Sequence, residues 1–271
     1  MIEPLPAILA GVRRLRLCST VLLLAASAAA QTADVDLRSL LLEMLDRDRL
    51  ARAARPPFRC AQASSYDRDS VAPDRPGWFA NDDRSEFLRV ELHDGRTEHV
   101  MLDVDGPGAI VRCWGTWAGA RGRPFSDGTL RIYLDGDRTA VIEGPIAEII
   151  SGGTLAPAPL SSSVSPLADR ARRGHNLYLP IPYARHCKIT YTTDAPLDRG
   201  ARQGGEALYY QIGYRTYAAG TRVRSFSRAQ LAEARALLDE VCATLRDGGA
   251  ASEGRRDDLG GAIAAGDART V

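Results

Sequence analysis

The sequence predicts an all-β protein, a jelly-roll β-sandwich with one flanking helix on its N-terminal side and one on its C-terminal side. Three observations predict it. Between about residues 83 and 225, apolar and polar residues alternate with period two in run after run. Compact turn sequences separate the runs, and no long stretch of helical spacing comes between them. Such alternation marks a strand with one buried face. Successive strands without intervening helices pack as two antiparallel layers, not as a βαβ sheet.

At the N-terminus, Arg13, Arg14 and Arg16 precede an apolar run from Leu17 to Ala30 that closes with Ala28-Ala29-Ala30. A basic region, an apolar core and small residues before Gln31 read as a secretory signal peptide over residues 1–30. The run is shorter than the roughly 20 apolar residues of a membrane span, so no stable span is expected after cleavage. Cys18 lies inside the apolar core and not at the cleavage point, which does not support a lipid anchor. The expected location is secreted or periplasmic.

Residues 31–57 read as a helix and linker. Leu37, Leu40, Leu41, Met44, Leu45 and Leu50 recur at helical spacing, Asp34 or Asp36 is placed to cap the start, and Pro56-Pro57 ends it. Residues 58–227 form the predicted jelly roll. It opens with an irregular polar stretch over 58–82. Strand-like runs follow at Phe87–Leu92, His99–Val104, Ala109–Trp114, Thr129–Leu134, Asn176–Ile181, Lys188–Thr192 and Leu208–Tyr217. His93-Asp94-Gly95, Asp105-Gly106-Pro107-Gly108 and Asp135-Gly136-Asp137 supply turns, the last a hairpin signal. Glu143–Ile150 reads as a short helical turn and 152–173 as a long loop. A second helix is predicted over 228–248, capped by Ser227 and stopped by Gly248-Gly249. Residues 249–271 read as a polar tail or the opening of a second jelly roll.

The charge balance, 35 Lys+Arg against 34 Asp+Glu, gives no reason to expect a polyanionic partner. Lys188 is the single lysine, and no basic stripe interleaved with aromatics suggests nucleic acid. Cys60, Cys113, Cys187 and Cys242 lack metal-ligand spacing. They are open either to disulfide pairing in an exported chain or to buried free thiols. No nucleophile elbow, Walker loop, HExxH or dinucleotide fingerprint occurs, so no metal and no organic cofactor is expected.

Five ordered motifs carry a resemblance. They are Ser64-Ser65-Tyr66-Asp67-Arg68, then Gly106-Pro107-Gly108-Ala109-Ile110-Val111-Arg112-Cys113-Trp114, and Leu130-Arg131-Ile132-Tyr133-Leu134-Asp135-Gly136. Gly174-His175-Asn176-Leu177-Tyr178-Leu179-Pro180-Ile181-Pro182-Tyr183 and Tyr209-Tyr210-Gln211-Ile212-Gly213-Tyr214-Arg215-Thr216-Tyr217 complete the set. In order and spacing, over roughly residues 36–245, they resemble domain of unknown function 2961, also classed as glycoside hydrolase family 172. The resemblance implies a retaining, exported glycosidase or transglycosylase acting on fructofuranosides or arabinofuranosides, built from two consecutive jelly rolls and assembled as a homotrimer or higher homo-oligomer. It also implies two glutamates about 5–5.5 Å apart. That pair belongs to the second half, so neither glutamate is carried onto a residue here, and this chain reads as the first jelly roll.

Sugar recognition needs carboxylates and amides for hydroxyls, with aromatic faces beneath the ring. Tyr66, Asp67, Arg68, Asn81, Asp82, Trp114, Gln211 and Arg215 are the candidate substrate-binding residues. Trp78 and Trp117 are further aromatic candidates. For Asp67–Arg68 the alternative is an internal ion pair that ties a loop down. The face carrying Tyr209, Gln211, Arg215 and Tyr217 reads equally as a ligand wall or a subunit interface. Glu143 and Glu148 are the carboxylates to test as unexpected catalysts, and their simpler reading is structural. A non-catalytic carbohydrate-binding or oligomer-forming jelly roll is the alternative function.

Overall fold

A computed structural model describes residues 34–76, 78–164, 174–200 and 204–247. The predicted signal peptide, Cys18 and the 249–271 tail lie outside the described residues. In chain order the elements are α1 (Leu37–Glu43), β1 (Phe58–Ser64), β2 (Arg89–His93), β3 (Arg96–Asp105), β4 (Gly108–Ala118), β5 (Thr129–Leu134) and β6 (Ile142–Pro145). Then come α2 (Ile146–Ser151), β7 (Ser161–Ser163), β8 (His175–Leu177), β9 (Ile181–Tyr183), β10 (His186–Thr192), β11 (Ala207–Tyr217), α3 (Arg228–Glu233) and α4 (Arg235–Arg246). The strands form two antiparallel sheets. One is ordered β1-β11-β4-β8-β7 with β9 also on β4, and the other β2-β3-β10-β5-β6.

The predicted alternation is what fills the space between them. Ile110, Cys113 and Trp117 of β4 and Leu208, Tyr210 and Ile212 of β11 meet Leu130, Ile132 and Leu134 of β5 and Cys187, Ile189 and Tyr191 of β10. Two hairpins turn on paired left-handed residues, Asp94-Gly95 (φ 47° and 78°) and Asp135-Gly136 (φ 58° and 85°), a backbone whose twist suits antiparallel strands. In the second hairpin the return strand begins at Ile142. The Asp105–Gly108 turn carries the chain from one sheet to the other beneath the ring of buried Tyr183. A Cβ on Gly108 would lie 2.3 Å from that ring, so only glycine fits.

Several local expectations change. The single helix expected over 34–54 is a seven-residue α1 followed by a 3-10 turn at Arg47–Ala51. Asp36 caps α1 in a box with Ser39, and the Asp46 side chain accepts from the Arg49 amide at 3.1 Å, which restarts the chain as the tighter turn. Leu50, placed on the apolar face by spacing, is 92% exposed. The expected C-terminal helix is broken at Ala234 into α3 and α4, with Ser227 capping α3 as predicted. The stretch read as irregular from residue 58 contains strand β1, and the 152–173 loop contains β7. All four described cysteines are free, Cys60 exposed and the other three buried. No helix among the described residues is long and apolar enough to cross a membrane.

The outer face of the five-stranded sheet is a charge network. Glu98, fully buried, accepts from Tyr133 Oη at 2.8 Å, Thr190 Oγ1 at 2.9 Å and Arg96 at 3.3 Å. Its burial and the hydrogen bond to Glu98 push the Tyr133 phenol up to about 12. Lys188 donates to Glu91 at 3.0 Å and holds that carboxyl below its usual range. Glu98→Ala removes the carboxylate that gathers these donors and is expected to cost about 3–5 kcal/mol in urea unfolding. Gly108→Ala is expected to cost about 1–3 kcal/mol through overpacking. A depressed folded pKa means that Glu91's contribution is present above its unfolded pKa of about 4.3 and is lost as pH falls through the folded value. Unfolding free energy measured from pH 7 to pH 3 should therefore drop below about pH 4.3, and Lys188→Met should make that drop shallower.

Candidate functional site

The outer face of the six-stranded sheet gathers the candidate residues. Antiparallel register places Ser64, Gln211, Trp114, Asn176 and Ser162 opposite one another in one row across β1, β11, β4, β8 and β7. Directly opposed residues share a face, with Cβ atoms roughly 4.5–5.5 Å apart, so Trp114 is flanked by the side-chain amides of Gln211 and Asn176. A Cβ on Gly174 would come within 2.9 Å of Trp114 Nε1, so the glycine preceding β8 makes room for the indole.

A β-bulge adds a cation to this row. Gly213 opposes Arg112 and Tyr214 opposes Ile110, which leaves Val111 as the extra residue in β4. Val111 and Arg112 consequently both serve the outer face. Val111 packs with Ala109 and Tyr217, while Arg112 donates to Asn176 Oδ1 at 3.4 Å and approaches the Tyr178 ring at 5.9 Å. Tyr178 Oη donates to the same Asn176 oxygen at 3.3 Å. Arg112 Nε is buried with no hydrogen-bond partner among the described residues.

Tyr66, Asp67, Arg68, Asn81 and Asp82 lie in the loop that leaves the row at Ser64. The Asp67–Arg68 ion pair does not form. The Asp67 oxygens accept from the Asp69 amide at 3.0 Å and the Asp82 amide at 2.8 Å, and the Asp67 amide donates to Asp83 at 3.1 Å. Arg68 donates to the Ser64 carbonyl at 2.9 Å and lies 3.9 Å over the Tyr66 ring. Asp82 accepts from Arg84 Nε at 2.8 Å, and Arg84 reaches Asp198 at 3.3 Å. The Asp82 bond raises the Arg84 guanidinium above its ordinary value. Partial burial raises the Tyr209 phenol beside this cluster. Asn81 is exposed, and Trp78 and Phe79 meet edge-on at 5.6 Å, both exposed.

Arg215 is apart from both groups. Four residues beyond Gln211, roughly 13 Å along the strand, it donates to Glu43 of α1 at 2.8 Å and lies 4.2 Å over Phe58. It lines an open groove of about 460 Å³ with Glu43, Arg49, Phe58 and Val111. Trp117, an aromatic candidate in the sequence, faces the core and is stacked on His175 at 4.0 Å. Glu143 is tied to Arg131 at 3.0 Å on the opposite sheet, away from Trp114. Arg112, Tyr178, Arg84 and Glu43 were not among the predicted site residues.

A family model described as the GH172 first β-sandwich domain matches residues 56–234, from just before β1 to the α3–α4 break. The chain belongs to the GH172 family. Four of the five sequence motifs supply this GH172 chain with outer-face or loop residues of the site, and the fifth lies on β5 of the opposite sheet. No curated protein matches the chain. Among solved structures it is similar to the infectious bursal disease virus VP2 subviral particle at 12% identity and a TM-score of 0.28, with 63% of this chain and 38% of that chain covered.

Because Asp67 satisfies backbone amides on both limbs of its loop, Asp67→Ala is expected to destabilise the fold by only about 1–3 kcal/mol. Limited proteolysis should nevertheless cut the variant within residues 65–84 at a rate at least several-fold above wild type.

Proposed function

We propose that this chain is the first jelly roll of an exported, retaining glycoside hydrolase acting on furanosides, and that its six-stranded sheet presents a glycan-recognition face. The catalytic glutamate pair lies outside the chain in this reading. The observation that carries it is the row Gln211–Trp114–Asn176, an indole edged by two side-chain amides, with Arg112 beside it. A sugar offers an apolar ring face and hydroxyls that both donate and accept, and this row supplies a partner for each. The buried, unpartnered Arg112 Nε supports the same reading, since a buried donor without an acceptor is costly until something supplies one.

The contribution of this domain is positioning. Glu143 and Glu98 are neutralised by arginines within the opposite sheet, and Asp67 and Asp82 hold amides and Arg84. None of these four is held as a free carboxylate opposite another across a cleft, the geometry a retaining mechanism needs. Tyr66, in the loop that leaves the row at Ser64, adds an exposed aromatic ring. The second reading, a non-catalytic carbohydrate-binding or oligomer-forming jelly roll, shares the recognition face and differs in having no catalytic partner domain.

Calorimetric titration with arabinofuranose and fructofuranose oligosaccharides tests the proposal, alongside hydrolysis of p-nitrophenyl furanosides. The chain alone is expected to bind without turnover, with Trp114→Ala and Gln211→Ala each weakening binding at least about tenfold, which is about 1.4 kcal/mol. Affinity untouched by either substitution would remove the recognition face. Turnover by the chain alone would place the catalytic pair within it. Export predicts a mature N-terminus at Gln31, read by mass spectrometry of the periplasmic or secreted fraction.

A further inference from the structure

Strand β2 ends the five-stranded sheet, and among the described residues it pairs only with β3. Its two-residue turn makes His93 and Arg96 the first hydrogen-bonded pair, and the antiparallel alternation continues through Glu91–Glu98 and Arg89–Val100. The amides and carbonyls of Val90 and Leu92 therefore point away from the sheet. The same strand is unusually apolar for an edge, with Val90 50% and Leu92 78% exposed, and Leu88, just ahead of it, is 46% exposed. Edge strands are ordinarily blunted by proline, lysine or a covering segment. Strand β6, at the other end of the sheet, is four residues long, ends in Pro145 and runs directly into α2. β2 contains neither proline nor lysine.

We propose that β2 is a self-pairing surface, where a second copy of this chain adds its own β2 antiparallel about a two-fold axis at Val90. Charge selects both the occupant and the register. Centred on Val90, each Arg89 faces the other copy's Glu91, Val90 meets Val90, and Leu92 comes level with Leu88. Arg89 already pairs with Glu91 and Asp103 of its own chain and Glu91 with Lys188, so the second copy extends an existing ion network and displaces none of it. The sequence Leu-Arg-Val-Glu-Leu over residues 88–92 is thus its own antiparallel complement. A register centred on Glu91 would set two carboxylates face to face, which is unfavourable. One centred on Leu92 would set Val90 against Asp94. In the Val90 register the outward amide and carbonyl of each Val90 bond to those of its counterpart, while the Leu88 amide is turned inward to the Val100 carbonyl at 2.8 Å, so the backbone pairing is confined to β2 itself. The two five-stranded sheets then join into one. A five-residue edge covers less than the roughly 1,200–2,000 Å² of a standard interface, so the pairing is weak and concentration-dependent, and it is independent of the glycan-recognition reading.

Sedimentation velocity of the full chain from about 1 to 300 µM tests it, a range that brackets micromolar association. Wild-type mass is expected to double across the range. Leu92→Lys, at a site too exposed to matter for folding, should hold the lower mass throughout. Arg89→Glu and Glu91→Arg should each do the same, because each places like charges opposite. An equimolar mixture of these two single variants should regain the doubled mass, since both acidic side chains of the first variant then face arginines of the second. Circular dichroism melts confirm that each variant is folded, and Leu92→Lys carries the test alone if a charge reversal unfolds the chain. A wild-type mass that stays constant would overturn the proposal. So would doubling that Leu92→Lys leaves intact, or a mixture of folded variants that does not reassociate.

Discussion

The pairing of β4 with β11 is the constraint on which the rest of the structure depends. Both strands run eleven residues, they are neighbours within the sheet, and each presents one face to the core and one to solvent. The inner faces bring Ile110, Cys113, Trp117, Leu208, Tyr210 and Ile212 into the core and fix the register, because a one-residue slip would exchange these for Arg112, Trp114, Gln211 and Tyr209. The outer row is therefore held in place by the core behind it. The bulge at Val111 adds a second consequence. Without the extra residue, the strand would carry either Val111 or Arg112 outward; with it, one strand supplies an apolar contact for α1 and a guanidinium beside Trp114.

The two outer faces treat charge differently, and the difference bears on their roles. On the five-stranded sheet, Glu91, Glu98, Asp103 and Glu143 are each matched by Lys188, Arg96, Arg89, His186 or Arg131. Such a surface is internally satisfied, and a ligand would have to displace existing partners. On the six-stranded sheet the row has side-chain amides, an indole and a guanidinium nitrogen with unfilled hydrogen-bonding capacity. A neutral, hydroxyl-rich ligand suits the second surface because binding there costs less desolvation of full charges.

Much of the fold was legible in the sequence because its signals are local. Period-two alternation marks strands with one buried face, and Asp94-Gly95 and Asp135-Gly136 encode turns through residues that tolerate positive φ. β1 was illegible for a physical reason: as an edge strand whose residues are exposed or half-buried throughout, it has no buried face to impose alternation. The break after α1 was hidden because Asp46 acts through a side-chain cap that hydrophobic spacing does not register. Gln211 and Trp114 were legible as an outer-facing polar residue and an aromatic, but their adjacency belongs to a pairing between strands nearly a hundred residues apart. Counting back by twos from Trp114 puts both Arg112 and Ile110 outward, yet Ile110 is core; only the bulge at Val111, which the alternation does not register, separates them. Strand parity from Cys113 points Trp117 inward, which sets it against the core and not beside Trp114.

The N-terminal helix links these levels. α1 is too short to be stable alone, and it exists because Leu37 and Leu41 enter the main core while Leu40 joins Ala109 and Tyr217 on the outside of the sheet. That double attachment fixes Glu43 at the helix end, and Glu43 in turn binds Arg215 and Arg49. The far end of β11's outer face is thus governed by a helix that the core places. Arg215 faces α1, where Glu43 offers it a carboxylate at 2.8 Å, while the Trp114 row lies roughly 13 Å back along the strand. The charged pair with Glu43 is a strong one for arginine, and the length of β11 between Gln211 and Arg215 separates the groove from the recognition row although both lie on one strand.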